Sequence, residues 1–295
     1  MARIFRHPEV EDYFHELDLQ QDPATLARRA TELYESGQVI VLKDYRVDFD
    51  AELLANLEFT EKTTKKFKSI TFLEQHRALS TAKGELPDSY GELLRTAFRG
   101  DKSRLGAFAE QVHKVNAQVD ALAARLFPHY RIEKSSVTWR LNETVNENLH
   151  VDAYREELPN HHLRLFVNLD SVPRIWHTSH TLEHVLATSL HLLGEEALRT
   201  SPPGRICRDL NLAFFKGWEL AGREGQPKHI VFFEPGEVWL VDSRKVSHQI
   251  FFGRKALSTE HAVANDSMSN PSAHYFALVE RHRDRLLGHA NAGVA

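Results

Sequence analysis

A chain of 295 residues with 42% hydrophobic, 26% charged and 9% aromatic residues holds enough apolar material for a large core, and its length fits one decorated β domain as well as two average ones. A formal charge of -4 removes any global drive toward nucleic acid. Cys207 is the single cysteine, so an intrachain disulfide and a cysteine-based zinc cluster are both excluded, which fits a reducing compartment.

In chain order, the opening "MARIFRHPEVEDYF" lacks the apolar core of a secretory signal, and no window approaches the length of a membrane helix. The expectation is a cytoplasmic protein that meets membrane only from the surface. From Asp22 to about Tyr130 the pattern is mainly helical. "DPATLARRATELYESG" starts with an Asp cap and ends at Gly37, and Leu105 to Phe127 carries apolar residues at three- and four-residue spacing, with "GQVIVLKDY" as a short strand between them. Lys62 to Gly84 is locally basic (Lys62, Lys65, Lys66, Lys68, His76, Arg77 and Lys83), either a solvated face or an anion-binding lip.

From Ile132 the texture changes to short β runs: "SSVTWRL", "LHVDAY", "HLRLFVNLD", "RIWHTS", "HIVFFEPGEVWLVD", "SHQIFFG" and "ALSTEHAVAND". Their spacing predicts a β-sandwich or jelly roll. A helical insertion over about Thr181 to Arg199 interrupts the series, and "SPPG" ends it. The expected class is α+β, mainly β: one domain over 1–295, in which a helical region (1–130) packs on a jelly-roll core (131–280). Trp139, Trp176 and Trp239 are read as core packing rather than as a sugar platform.

Within "LHVDAY", His150 and Asp152 stand two apart, so in an extended segment they point to one face and can grip one ion. Two histidines and a carboxylate around a divalent first-row metal leave positions open for oxygen chemistry. The second histidine is read as His248, which follows the turn at Pro235-Gly236 and the strand Val238 to Val241. His161, His162, His177, His180, His229 and His261 compete for the role and are read as surface or structural residues. An iron oxygenase of this type needs an electron-donating cosubstrate, and an arginine would grip the far carboxylate of 2-oxoglutarate. Arg164, alternating with apolar residues in "HLRLFVNL", is the first candidate; Arg254, just after His248, is the second, and Arg140 in "TWRL" the third.

The segments "SSVTWRLNETVNENLHVDAY", "LRLFVNLDSVPRIW", "PGEVWLVDSRKVSH" and "GRKALSTEH" together resemble the Kdo hydroxylase family, with weaker similarity at "LYESGQVIVLKDY" and "KKFKSI". These are Fe(II)- and 2-oxoglutarate-dependent dioxygenases acting on the 3-deoxy-D-manno-oct-2-ulosonic acid (Kdo) of bacterial lipopolysaccharide. The resemblance implies a metal held by His150, Asp152 and His248, consumption of 2-oxoglutarate and O2 with release of succinate, and hydroxylation at the 3-position of Kdo. It implies Kdo-lipid A as substrate, met at the cytoplasmic face of the inner membrane, and the basic 62–83 segment would suit that anionic partner. The chain departs from the family pattern at Tyr154, where Phe is expected, in "REELPNHH", and in the polar alternation of Ser258 and Glu260. These positions lie nearer the mouth of the site than the metal. Two rival readings are a related oxygenase with another target and a metal-free jelly-roll binding module.

Overall fold

The computed structural model describes residues 2–57, 70–73, 78–81, 98–141, 148–153, 160–215 and 225–292. Most of the basic 62–83 segment, and Tyr154 with the residues up to 159, lie outside them.

Two sheets face each other. The smaller runs β1 (Arg3–Phe5), β10 (His229–Phe233), β9 (Arg174–Thr181), β12 (Val246–Phe252), all antiparallel. The larger runs β2 (Phe14–Asp18), β3 (Val39–Arg46), β11 (Glu237–Leu240), β8 (Leu165–Asn168), β13 (Ala256–Val263), β6 (Ile132–Arg140), β4 (Ile70–Leu73), β5 (Ala78–Thr81), with β7 (His161–Leu163) pairing onto β13. Among these pairs only β2 with β3 is parallel. Antiparallel sheets laid face to face in this way make the jelly-roll core that the β runs predict.

Single-residue alternation explains the layering. In β3, Val39 and Val41 belong to the core between the sheets, with Phe166, Trp176, Phe233, Trp239 and Ile250. Ile40 and Leu42 face the other way, into a core shared with the helices α1 (Pro23–Glu35), α2 (Ala51–Ala55) and α3 (Lys102–Leu126). A strand covered on both sides is apolar at every position, as "VIVL" is. The large sheet is therefore the middle layer. Trp139, Trp176 and Trp239 are all buried; Trp139 donates its indole N–H to Asn116 of α3 at 3.0 Å, which ties the helix to β6.

The predicted helices lie close to their expected bounds. Asp22 accepts from the backbone N–H groups of Ala24 and Thr25, Pro23 takes the first helical position, and α1 stops before Gly37, whose φ of 78° suits glycine. Four expectations need correction. The opening segment contributes β1 and β2, and β4 and β5 extend the sheet beside β6 within the region expected to be helical. Over its described residues, 149–153, "LHVDAY" is no strand: it makes one isolated bridge between His150 and His248. "SPPG" does not end the helical insertion. After α4 (Leu182–Ser189) and α5 (Glu195–Thr200), Pro203 opens α6 (Pro203–Phe215), since a proline at the first position of a helix loses no bond. The terminal helix α7 (Tyr275–Ala292) packs with α4 and α6 against Leu149 and Val151, so a helical cap covers one end of the sandwich. No helix among the described residues is long and apolar enough to cross a membrane.

Candidate active site

His150, Asp152 and His248 meet at that capped end. Reciprocal backbone bonds join His150 and His248 (3.1 and 2.8 Å), and the Asp152 N–H donates to Ser243 O at 2.8 Å. Asp152 Oδ1 lies 3.5 Å from His150 Nε2 and 3.9 Å from His248 Nε2. The three candidate ligand atoms all fall within 4.8 Å of one another, a separation one ion can bridge.

Each group's other polar atom is already engaged. His150 Nδ1 sits 2.7 Å from Asn148 O and His248 Nδ1 3.2 Å from Val246 O. A carbonyl can only accept, so each Nδ1 carries the proton and each Nε2 keeps its lone pair toward Asp152. Asp152 Oδ2 accepts from Ser243 Oγ at 2.6 Å and from Arg164 Nη1. Oδ1 is thereby left facing the two imidazoles. Between the ligands, Val151 is clamped by one side chain: its N–H donates to Asn211 Oδ1 and its C=O accepts from Asn211 Nδ2, both at 2.9 Å. A carboxamide from α6 thus replaces the ladder partner that a strand would have supplied. It holds His150 and Asp152 in register without a sheet.

Electrostatics prepare the same set. Burial alone would push the Asp152 carboxyl up, but the Arg164 guanidinium beside it holds it well below the usual carboxylate range. Burial pushes the His248 imidazole down to about 4 against the pull of Asp152. An ionised carboxylate and a neutral imidazole are the forms that bind a metal. Trp176 stacks on the His248 ring, with centroids 5.2 Å apart and planes 21° apart.

Residues 18–202, more than half of the chain, match the family described as 3-deoxy-D-manno-oct-2-ulosonic acid (Kdo) hydroxylase. The chain belongs to the Kdo hydroxylase family. No curated protein matches it. The solved structures that do include the Kdo hydroxylase KdoO, described as a non-heme Fe(II) alphaketoglutarate dependent dioxygenase. The KdoO complex with cobalt(II) matches at a TM-score of 0.68, and those with succinate and Fe(III) and with alphaketoglutarate and Fe(III) each at 0.67. Each is 18% identical, and the alignments cover 91% of this chain and 95% of KdoO. At that identity the likeness establishes the shared fold.

In this member of the Kdo hydroxylase family the triad opens into a cavity of about 470 Å³, its mouth included, lined also by Arg140, Arg164, Phe166, Arg174, Trp176, Ile250, Leu257 and Ser258. Strand register orders the lining. His248 is level with Thr178, Ile250 with Trp176 and Phe252 with Ile175, so Arg174 stands beyond Trp176 from the triad. On the facing sheet Ser258 is level with Phe166, while Ala256 is level with Arg140 and Asn168. Arg164 comes two residues before Phe166, at the triad end, where it donates to Asp152 and to Ser243 Oγ (2.7 Å). Arg140 and Arg174 therefore mark the far end. Arg254 does not line the cavity: its guanidinium makes a two-pronged pair with Asp170, at 2.6 and 3.0 Å. Of the three arginines singled out from sequence, the fold brings Arg140 and Arg164 to the cavity and turns Arg254 away.

Arg174, Ser243 and Asn211 are the residues that sequence reading missed. Arg174 opens "RIWHTSHT", whose alternation with Trp176 was a usable signal for a cavity-facing arginine. A Cβ on Gly253 would stand 2.4 Å from Arg174 Nη1, so glycine at 253 makes room for that guanidinium. Nothing in the local sequence marks Asn211 or Ser243. The competing histidines sit elsewhere. His161, His229 and His261 are buried against Tyr130, Glu11 O and Ser135 Oγ, His177 stacks on Phe251, His162 faces Glu260, and His180 pairs with Glu11.

Proposed function

We propose that the chain is an Fe(II)- and 2-oxoglutarate-dependent dioxygenase that hydroxylates the 3-position of Kdo carried on lipid A. The observation that carries the reading is the cavity of a Kdo hydroxylase family member with two imidazole lone pairs and a carboxylate oxygen at one end and two arginines at the other. A set of two histidines and one carboxylate with open positions suits Fe(II), and the pinned Nδ1 and Oδ2 atoms leave one donor per residue for it. His150, Asp152 and His248 would hold the ion. Bound iron with 2-oxoglutarate supplies the oxidising chemistry that turns O2 into a substrate hydroxyl, leaving succinate.

The protein's part is positional. Arg164 and Ser243 hold Asp152 so that Oδ1 faces the imidazoles. Arg174, with Arg140 at the same end, takes the far carboxylate of 2-oxoglutarate through charge-assisted bonds. This assigns Arg164 to the carboxylate ligand and the cosubstrate to the arginine that Gly253 accommodates. Phe166, Trp176, Ile250 and Leu257 wall the space between the two ends and limit water there. The chain acts as one oxygenase unit on this reading, since α1 and α3 share a core with the sheet whose other face bears the cavity. A lipid-borne substrate places the protein peripherally at the cytoplasmic face of the inner membrane.

Two outcomes test this reading. With Fe(II), 2-oxoglutarate, O2 and Kdo-lipid A, mass spectrometry should show one oxygen atom gained on Kdo and one succinate formed with it, and free Kdo should react less well because the remote lipid helps to orient the sugar. Succinate without an oxygenated sugar would move the activity to another substrate, and no 2-oxoglutarate turnover would favour a metal-free binding module. Asn211→Ala should keep the fold and weaken Fe(II) binding by about tenfold, because the backbone between two ligands loses its clamp. Unchanged affinity on metal titration would make Asn211 a helix-docking residue only.

A further inference from the structure

A second donor cluster stands apart from the cavity, where β9 runs into α4. His180 is the last residue but one of the strand, His184 lies in the first turn of the helix, and Glu11 reaches over from the segment joining β1 to β2. His180 Nδ1 and Glu11 Oε2 are 3.0 Å apart. The two imidazole rings stack with centroids 4.0 Å apart and planes only 8° from parallel. One ligand atom from each of the three falls within 4.8 Å of the others. We propose that Glu11, His180 and His184 form a second metal site that takes a divalent cation of the zinc class.

The donor chemistry favours zinc over calcium or magnesium. Two imidazole nitrogens and one carboxylate oxygen suit zinc, which has no ligand-field preference and completes four-coordination with a water molecule; the oxygen-seeking cations want more carboxylates and carbonyls. Glu11 is fixed for this role. Its Oε1 accepts from the Thr181 N–H (3.0 Å) and hydroxyl (2.7 Å), which leaves Oε2 toward the imidazoles. The negative charge of the Glu11 carboxylate also offsets the positive end of α4, which would otherwise repel a cation. His180 is buried and held, whereas His184 is only partly buried and can tilt its ring out of the stack, as two nearly parallel imidazoles must before they share one ion. In the metal-free form His180 Nδ1 donates to Glu11 Oε2, and the cation would take the place of that hydrogen bond.

The site would staple the N-terminal segment to the small sheet at a sensitive place. Ser247 Oγ donates to His180 O at 2.7 Å, and Ser247 precedes His248. Tyr13 Oη donates to Ser179 O at 2.5 Å, so the same strand end already anchors the segment that carries Glu11.

Zinc binding to the full-length chain, followed by equilibrium dialysis with Zn(II) and by the visible spectrum of added Co(II), tests the assignment without reference to catalysis. The double variant His150→Ala/His248→Ala removes the cavity site and should retain one tightly bound equivalent of zinc. Adding His184→Ala or Glu11→Gln should weaken that equivalent at least tenfold and abolish any zinc-dependent rise in melting temperature, while the metal-free melting temperature of His184→Ala stays unchanged. If the double variant binds no zinc tightly, or if both added substitutions leave its affinity within a factor of two, the site does not exist. Failure of the cavity reading would instead appear as wild-type and double variant binding equal amounts of metal.

Discussion

His248→Ala should keep its fold and lose Fe(II) affinity by at least a hundredfold, with 2-oxoglutarate turnover falling to background. His248 supplies one of three donors, and its ring also carries the stacked Trp176, so the lost imidazole leaves two ligands and a loosened wall. The histidine is the better probe than the aspartate. Asp152→Ala would also strip Arg164 and Ser243 of the carboxylate they share, and breaking a buried charge pair costs about 3–5 kcal/mol, so instability would confound the result. Metal content after anaerobic reconstitution is the direct readout. Near-stoichiometric iron in His248→Ala would transfer the third ligand to another residue.

The second large effect is expected at Arg174. Charge-assisted bonds to a carboxylate contribute on the order of 1.5–3 kcal/mol, so Arg174→Ala should raise the 2-oxoglutarate concentration for half-maximal turnover by roughly ten- to a hundredfold while iron content stays near wild type. Gly253→Ala should move the same quantity in the same direction, because the added methyl falls where the guanidinium lies. Arg254→Ala should leave it almost unchanged, since that side chain is committed to Asp170 outside the cavity. Arg164→Ala should act differently, lowering iron affinity along with turnover, because its contact is with Asp152. If Arg164→Ala alone raised the 2-oxoglutarate requirement and kept its iron, the cosubstrate anchor would be Arg164.

What could be read in advance follows from the range of the interactions involved. Periodicity and caps are local, so α1 with Asp22 and Gly37, α3 and the runs that became β6, β8, β9 and β11 were legible. His150 and Asp152 were legible because their spacing is itself a ligand pattern, although the geometry behind it is not a strand: Asn211, sixty residues away, satisfies the backbone that a ladder would have satisfied. The arginines show the opposite case. Arg164 alternates with apolar neighbours as a cavity residue should, yet its partner is decided by Asp152 and Ser243, which meet it only when the capped end of the sandwich assembles. Strands β1, β2, β4 and β5 escaped notice because short strands at or next to a sheet edge draw their stability from the strands they pair with. α6 escaped because "SPPG" reads as a stop when proline at a helix start is overlooked.

The most direct test is a crystal structure of the chain with Fe(II) and 2-oxoglutarate, prepared without oxygen, with the ion located by its anomalous scattering. The account predicts the iron between His150 Nε2, Asp152 Oδ1 and His248 Nε2, with the far carboxylate of 2-oxoglutarate against the guanidinium of Arg174. Iron at any other set of donors, or 2-oxoglutarate lying with its far carboxylate on Arg164 or outside the cavity, would contradict it.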